Sequence, residues 1–134
     1  EAHNLPYQAT ACASYPADIY NKVKKALSIP GPKFLHILAP CPPGWRTPSE
    51  KTVEIGKMAV KSGIWVLWEK EYDKLTISAP SRAAMKKPMP VIDYLKAQGR
   101  FKKVDEETAA QIQANVDKNL KKIAAEVRIQ EETA

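Results

Sequence analysis

Residues 7–38 read YQATACASYPADIYNKVKKALSIPGPKFLHIL, and the fold turns on how this stretch divides. Tyr7 to Cys12 is a run of mostly small and apolar residues that suits a buried strand. Ser14, Tyr15 and Pro16 then open a helix, because the missing N–H of proline is unpaired in a first helical turn anyway. Ile19, Val23, Ala26 and Leu27 follow at helical spacing and form one apolar stripe. Pro30-Gly31-Pro32 stops that helix. Lys33 to Ala39 is apolar on both parities, the pattern of a strand covered on both faces. Strand, helix and strand make one crossover unit, right-handed by the general rule, and the class is therefore α/β.

Downstream, Thr47-Pro48-Ser49-Glu50 has the spacing of a capping box, which predicts a helix running to about Lys61 and closed by Ser62-Gly63. Ile64 to Glu69 reads as a strand and Leu75 to Ser78 as its hairpin mate, with the turn at Tyr72-Asp73-Lys74. Residues 80–90 carry three prolines with Arg82, Lys86 and Lys87, and are expected to be a basic, poorly structured linker. Pro90 to Leu95 begins a short helix that ends by Gly99. Asp105 caps the last helix, along which Ala109, Ile112, Val116, Leu120, Ile123 and Val127 form a narrow apolar seam. Such a seam either lies on the body of its own domain or grips another subunit. The division expected is a body over residues 1–104 and a C-terminal helix over 105–134, with subunit docking as one role for that helix. At the other end Glu1-Ala2-His3-Asn4 reads as the close of a helix already under way, so the chain is expected to be a piece whose companion half lies elsewhere.

Composition narrows the functional classes. At 134 residues, with 44% hydrophobic and 27% charged residues, the chain is an ordinary globular domain with a modest core. No apolar run approaches the roughly 20 residues of a membrane span. The net charge is +6, but the lysines are scattered among acids, and no nucleic-acid-binding signature accompanies them. Solvated helix faces account for them, and neither nucleic acid nor membrane is expected as a partner. No glycine-rich phosphate loop, His-Glu-x-x-His, nucleophile elbow or Cys-x-x-Cys occurs. His36, in mid-strand, is expected to be a core imidazole bonded to backbone.

Two cysteines remain, and they differ. Cys41 stands in HILAPCPPGWRTP, residues 36–48, where Pro40, Pro42 and Pro43 freeze the backbone on both sides of the sulfur. Open α/β sheets bind ligands beyond the carboxyl ends of their strands, and a rigid thiolate at that edge suits a metal centre. The plain reading is a small buried hydrophobe, the common fate of a free cysteine. A single sulfur holds no cluster without companions.

Three blocks carry a resemblance: YQATACASYPADIYNKVKKALSIPGPKFLHILAPCPPGW, KTVEIGKMAVKSGIWVLWE and PVIDYLKAQGRF. In this order they resemble the C-terminal part of the β subunit of the pyruvate (2-oxoacid):ferredoxin oxidoreductase family, from Leu5 to about Lys103. The resemblance implies part of a three-layer, thiamine diphosphate-binding α/β domain with a mostly parallel sheet. It implies oxidative decarboxylation of a 2-oxoacid to acyl-CoA on thiamine diphosphate with magnesium, electrons passing through 4Fe–4S clusters to ferredoxin in the cytoplasm. Pyruvate is the first expectation, with branched-chain and aryl 2-oxoacids beside it. The resemblance also implies Cys41 as the fourth cluster ligand, the other three and the Gly-Asp-Gly segment belonging to the missing N-terminal half. That half, the other subunits and ferredoxin are the expected partners, and the chain alone is expected to be inactive. Cys12 falls where the family has a small non-cysteine residue and is assigned to packing. The rival reading is a non-catalytic assembly module built on the same fold and on the seam of the last helix.

Overall fold

A computed structural model describes residues 4–133; His3 and the helix end expected around it lie outside them. The elements run β1 (Tyr7–Cys12), α1 (Pro16–Ser28), β2 (Lys33–Leu38), α2 (Pro42–Trp45), α3 (Thr52–Lys61), β3 (Trp68–Glu71), β4 (Lys74–Ile77), α4 (Ala79–Lys86), α5 (Val91–Lys96) and α6 (Glu106–Thr133). The α/β class and the long C-terminal helix are as the residues imply. The sheet is mixed, in the order β2-β1-β3-β4. β1 runs parallel to β2, Tyr7 opposite Lys33 through Cys12 opposite Leu38, and α1 is their crossover. β3 pairs antiparallel with both β1 and β4.

Alternation along β1 builds two cores. Tyr7 and Ala9 pack with Ala26, Ile29 and Leu35 beneath α1. Cys12 points the other way, with Val60 and Leu67. The largest core joins Ile55 and Ala59 of α3, Leu75 and Ile77 of β4, Tyr94 and Leu95 of α5, and Ala109, Val116 and Leu120 of α6. Ile112, Ile123 and Val127 pack against the same cluster, so the apolar seam of α6 lies on the body of its own chain. The Asp105 carboxylate accepts a hydrogen bond from the Thr108 amide at 2.7 Å, capping α6 as expected.

Several expectations are corrected. β2 is not covered on both faces: it is an edge strand whose Phe34 and Ile37 are 55% and 43% exposed. His36 is likewise exposed rather than in the core, its ring edge-on to Trp65 with centroids 4.8 Å apart. The α1 stripe is split, since Ala26 is buried while Val23 and Leu27 face outward. The strand expected over 64–69 begins only at Trp68. Before it, side chains satisfy the backbone: Thr10 Oγ1 donates to the Val66 carbonyl at 2.5 Å and accepts from the Trp68 amide at 3.0 Å. The Leu67 amide donates to Ser81 Oγ at 2.8 Å.

That serine belongs to α4, which occupies most of the expected linker. Pro80 sits in its first turn, where proline is tolerated, and Ser81 and Ala84 are buried. The capping box does not form either. The chain takes a 3-10 turn over Ser49–Lys51, α3 starts at Thr52 without a side-chain cap, and Thr47 Oγ1 is buried with no hydrogen-bond partner.

Gly63 ends α3 as expected, with φ +77°, and a Cβ built there would stand 2.7 Å from Leu120 Cδ1. Gly63→Ala therefore meets backbone strain and a clash with α6 together. It is expected to lower stability by about 1–3 kcal/mol, read as a reduced urea midpoint at unchanged slope.

Candidate functional site

Beyond the carboxyl end of β2 the chain passes Ala39 and Pro40 and reaches Cys41, an exposed free thiol. Cys41 is the N-cap of α2, a single turn that Pro42 and Pro43 start with φ already set. Its carbonyl accepts the Trp45 amide at 2.8 Å, and the Pro42 carbonyl accepts the Thr47 amide at 3.0 Å. Arg46 closes the turn in the left-handed region, with φ 55° and ψ 55°. A Cβ on Gly44 would lie 3.5 Å from the Cys41 sulfur, an ordinary contact distance.

The prolines are only half of the brace. The segment Gln98-Gly99-Arg100-Phe101, distant in sequence, lies against this loop. The Gly99 amide donates to the Arg46 carbonyl at 3.1 Å, an approach that leaves no space for a Cβ, which would sit 2.8 Å from that oxygen. The Arg100 guanidinium carbon stands 3.8 Å from the centroid of Trp45 and 4.6 Å from that of Phe101. Gln98, 1% exposed, accepts from Arg100 Nε at 2.9 Å and donates to the Tyr94 carbonyl at 2.8 Å. Trp45 and Phe101 both pack on the main core. A cation over an aromatic face at such an exposed site contributes about 0.5–1 kcal/mol. Its larger effect here is positional, because it ties the sulfur loop to the 3-10 turn Gly99–Phe101 that follows α5.

Cys12 has the opposite environment. It is fully buried, 3.7 Å from the Gly56 carbonyl, and a Cβ on Gly56 would fall 3.2 Å from its sulfur. It is a packing residue. No group of three or more His, Cys, Asp or Glu side chains able to hold a metal occurs among the described residues. The donor that fits an iron–sulfur centre is Cys41: soft, solvent-facing and set on a backbone that three prolines restrict. Sequence reasoning found the sulfur and its prolines but missed Gln98, Gly99 and Arg100 as its supports. The sole hint was that AQGRF belongs to a block of the resemblance, with nothing local to tie it to residue 41.

A separate cleft of about 650 Å³ opens between α1 and the β3–β4 hairpin, lined in part by Asp18, Lys22, Lys25, Lys57, Glu69 and Arg82. Lys22, only 2% exposed, donates to Asp18 and to the Thr10 carbonyl, each at 2.7 Å. Burial pulls its pKa down, and the Asp18 carboxylate opposes that shift. Lys25 pairs with Glu69, which also accepts the Tyr7 hydroxyl at 2.7 Å. Burial and then the Glu69 bond push the Tyr7 phenol far above its usual range. Lys22 and Lys25 are thus engaged in holding α1 to the sheet.

Two outcomes follow. Gly99→Ala forces Arg46 away, and amide exchange at Trp45 and Thr47 is expected to quicken about tenfold, as overpacking of about 1.4 kcal/mol would produce. Burial raises the Glu69 pKa, but the Lys25 and Tyr7 hydrogen bonds outweigh it and hold the carboxyl below its ordinary value. A depressed folded pKa means that this stability is present above the unfolded value and fades as pH falls through the folded one. Urea midpoints should therefore drop on acidification below about pH 4.5, and Glu69→Gln should flatten that dependence.

The chain was compared with known proteins. No protein-family model matches it. It is 48% identical over 120 residues to the pyruvate synthase subunit PorB of Methanocaldococcus jannaschii, covering 90% of this chain and 39% of that protein. It is 47% identical over 106 residues to the ketoisovalerate oxidoreductase subunit VorB of Pyrococcus abyssi, covering 79% and 33% respectively. With the PorB of Methanosarcina barkeri the identity is 42% over 125 residues, covering 90% and 41%. The chain thus spans between a third and about two fifths of the length of these relatives. It belongs to the family of 2-oxoacid:ferredoxin oxidoreductase β subunits, of which it represents a C-terminal part.

Proposed function

We propose that this chain works within a 2-oxoacid:ferredoxin oxidoreductase, where Cys41 supplies one thiolate to a 4Fe–4S cluster. The complex would decarboxylate a 2-oxoacid oxidatively to acyl-CoA and deliver the electrons to ferredoxin. The observation that carries this reading is the exposed Cys41 thiol, fixed by prolines within the loop and by Gly99 and Arg100 from outside it. When bound, thiamine diphosphate with magnesium would supply the carbon chemistry and the cluster the one-electron steps.

The work of this chain's own residues is placement. Pro40, Pro42 and Pro43 remove backbone freedom around residue 41, so little entropy is lost when the sulfur takes a ligand position. Trp45 roots the loop in the main core, and Arg100, oriented by buried Gln98, covers its ring. Cys41 is the only accessible thiol of the chain, since Cys12 is buried. The remaining cluster ligands and the residues that hold the diphosphate would come from the rest of the subunit. On this reading the isolated chain is inactive, and the complex works in the cytoplasm. No helix among the described residues is long and apolar enough to cross a membrane.

Pyruvate is the substrate we propose, in line with relatives named pyruvate synthase. Near-equal identity to ketoisovalerate oxidoreductase subunits supports a branched-chain 2-oxoacid as the second reading. Ferredoxin reduction by the assembled complex with each acid in turn separates the two.

The cluster assignment is tested in the assembled complex by electron paramagnetic resonance and iron analysis. Cys41→Ala is expected to remove one cluster signal and the matching iron, and to abolish 2-oxoacid-dependent ferredoxin reduction. Arg100→Ala, which loosens the support but keeps the sulfur, should weaken cluster retention by about 10–100-fold. An unchanged spectrum in the Cys41 variant would overturn the assignment.

A further inference from the structure

The cleft between α1 and the β3–β4 hairpin holds more polar capacity than its ion pairs use. Lys22 and Lys25 are matched by Asp18 and Glu69, and these four charges cancel. Lys57 of α3 and Arg82 of α4 line the same cleft, and neither has an ion pair or hydrogen bond among the described residues. The cleft therefore keeps a surplus of two positive charges.

Two helices also begin here. α1 and α4, 13 and 8 residues long, both start on the rim of the cleft with proline in the first turn and no side-chain cap. The Ile19 and Arg82 amides close those turns onto the Tyr15 and Ser78 carbonyls at 3.2 and 3.0 Å. The amides of Ala17, Asp18 and Ala79, all lining residues, are left without a protein partner. Unpaired amides at a helix start carry partial positive charge and favour an anion. Ser14 lines the same cleft at 7% exposure, and its hydroxyl has no hydrogen-bond partner among the described residues. A Cβ on Gly56 would fall 2.0 Å from that oxygen, so the hydroxyl stands against α3 one residue before Lys57. A buried hydroxyl left unpaired is unfavourable, and an acceptor entering the cleft would relieve it.

We infer that this cleft binds a small phosphorylated organic molecule, its phosphate held by the first turns of α1 and α4, by Ser14 and by Lys57 and Arg82. Two cations, three amides and a hydroxyl are more donors than the two oxygens of a carboxylate accept well. The three terminal oxygens of a phosphomonoester can take them. Pro16, Ile77 and Pro80 supply an apolar wall for the organic body. The cleft volume of about 650 Å³ lies within the range of small-molecule sites. The inference goes beyond the proposed function and does not depend on it, since no residue of the Cys41 loop lines the cleft.

The test titrates the full chain with phenyl phosphate and follows its amide resonances by NMR. Saturable shifts are expected at Ala17, Asp18 and Ala79, and none at Lys121 or Lys122 of α6. Inorganic phosphate should move the same amides but bind about tenfold more weakly, because it lacks the ring that the apolar wall covers. Lys57→Gln with Arg82→Gln should weaken phenyl phosphate about tenfold or more. Their circular dichroism should be unchanged, as both side chains are exposed. Ser14→Ala, which removes the hydroxyl alone, should weaken binding about threefold, and Lys121→Gln should leave it as it was. The inference is overturned if the shifts do not saturate, if they follow every lysine-bearing face alike, or if the Lys57–Arg82 variant binds as tightly as the parent. Equal binding of inorganic phosphate and phenyl phosphate overturns it too, since the cleft would then hold an adventitious ion only. None of these outcomes bears on the cluster assignment, which Cys41→Ala tests separately.

Discussion

Strand β1 is the constraint on which the rest of the molecule depends. From Ala9 to Cys12 its side chains are small, so α1 and α3 can approach the sheet from opposite faces, and its backbone is then tied to both layers. Lys22 of α1 reaches the Thr10 carbonyl, and the Trp65 indole, just beyond α3, donates to the Ala11 carbonyl at 2.8 Å. An ammonium almost removed from water needs close oxygen partners, which Thr10 and Asp18 provide. Hydrogen bonds of this sort are directional, so they set the angle of each layer where apolar contact alone would let it slide. Once β1 is placed, β2 follows by parallel pairing, and the Cys41 loop emerges at the end of β2.

The loop itself is held from two distances. Proline works locally, by limiting φ at residues 40, 42 and 43. Gly99 and Arg100 work from far along the chain, by filling the space that the loop would need in order to move. The two devices differ in kind: the first lowers the entropy of the unfolded loop, and the second exists only once α5 has packed against α3 and α6. A loop constrained in both ways would lose little backbone freedom on taking up a ligand, the physical meaning of preorganisation. The cleft beside α1 shows a contrasting use of polar groups. There Lys22, Lys25, Asp18, Glu69 and Tyr7 satisfy one another and serve to join helix to sheet.

Two local patterns in the sequence give way in the folded chain. Residues 80–90 resemble a linker by composition, yet Pro80 lies in a first helical turn and Ser81 is needed by the Leu67 amide. Thr47 to Glu50 has the letters of a capping box, but the turn into α3 is made by backbone instead, and Thr47 Oγ1 is left buried and unpartnered. In the first case a contact from another element overruled the local pattern, and in the second a backbone turn replaced the side-chain cap. β2 misleads in a different way. Its residues describe a strand buried on both sides, and the structure leaves it open on this chain.

The amino-acid sequence alone determined what short-range stereochemistry and periodicity control. These are the crossover unit of β1, α1 and β2, the stop at Gly63, the cap at Asp105, the seam of α6 and the rigidity around Cys41. Tertiary structure decided which of the two thiols meets solvent, which edge of the sheet a side chain of α6 closes and which residues brace the sulfur loop. Those outcomes depend on atoms brought together across 50 or more positions, such as Arg46 with Gly99 and Leu75 with Gln130. No local pattern encodes such pairs, because their energy arises only when the layers close.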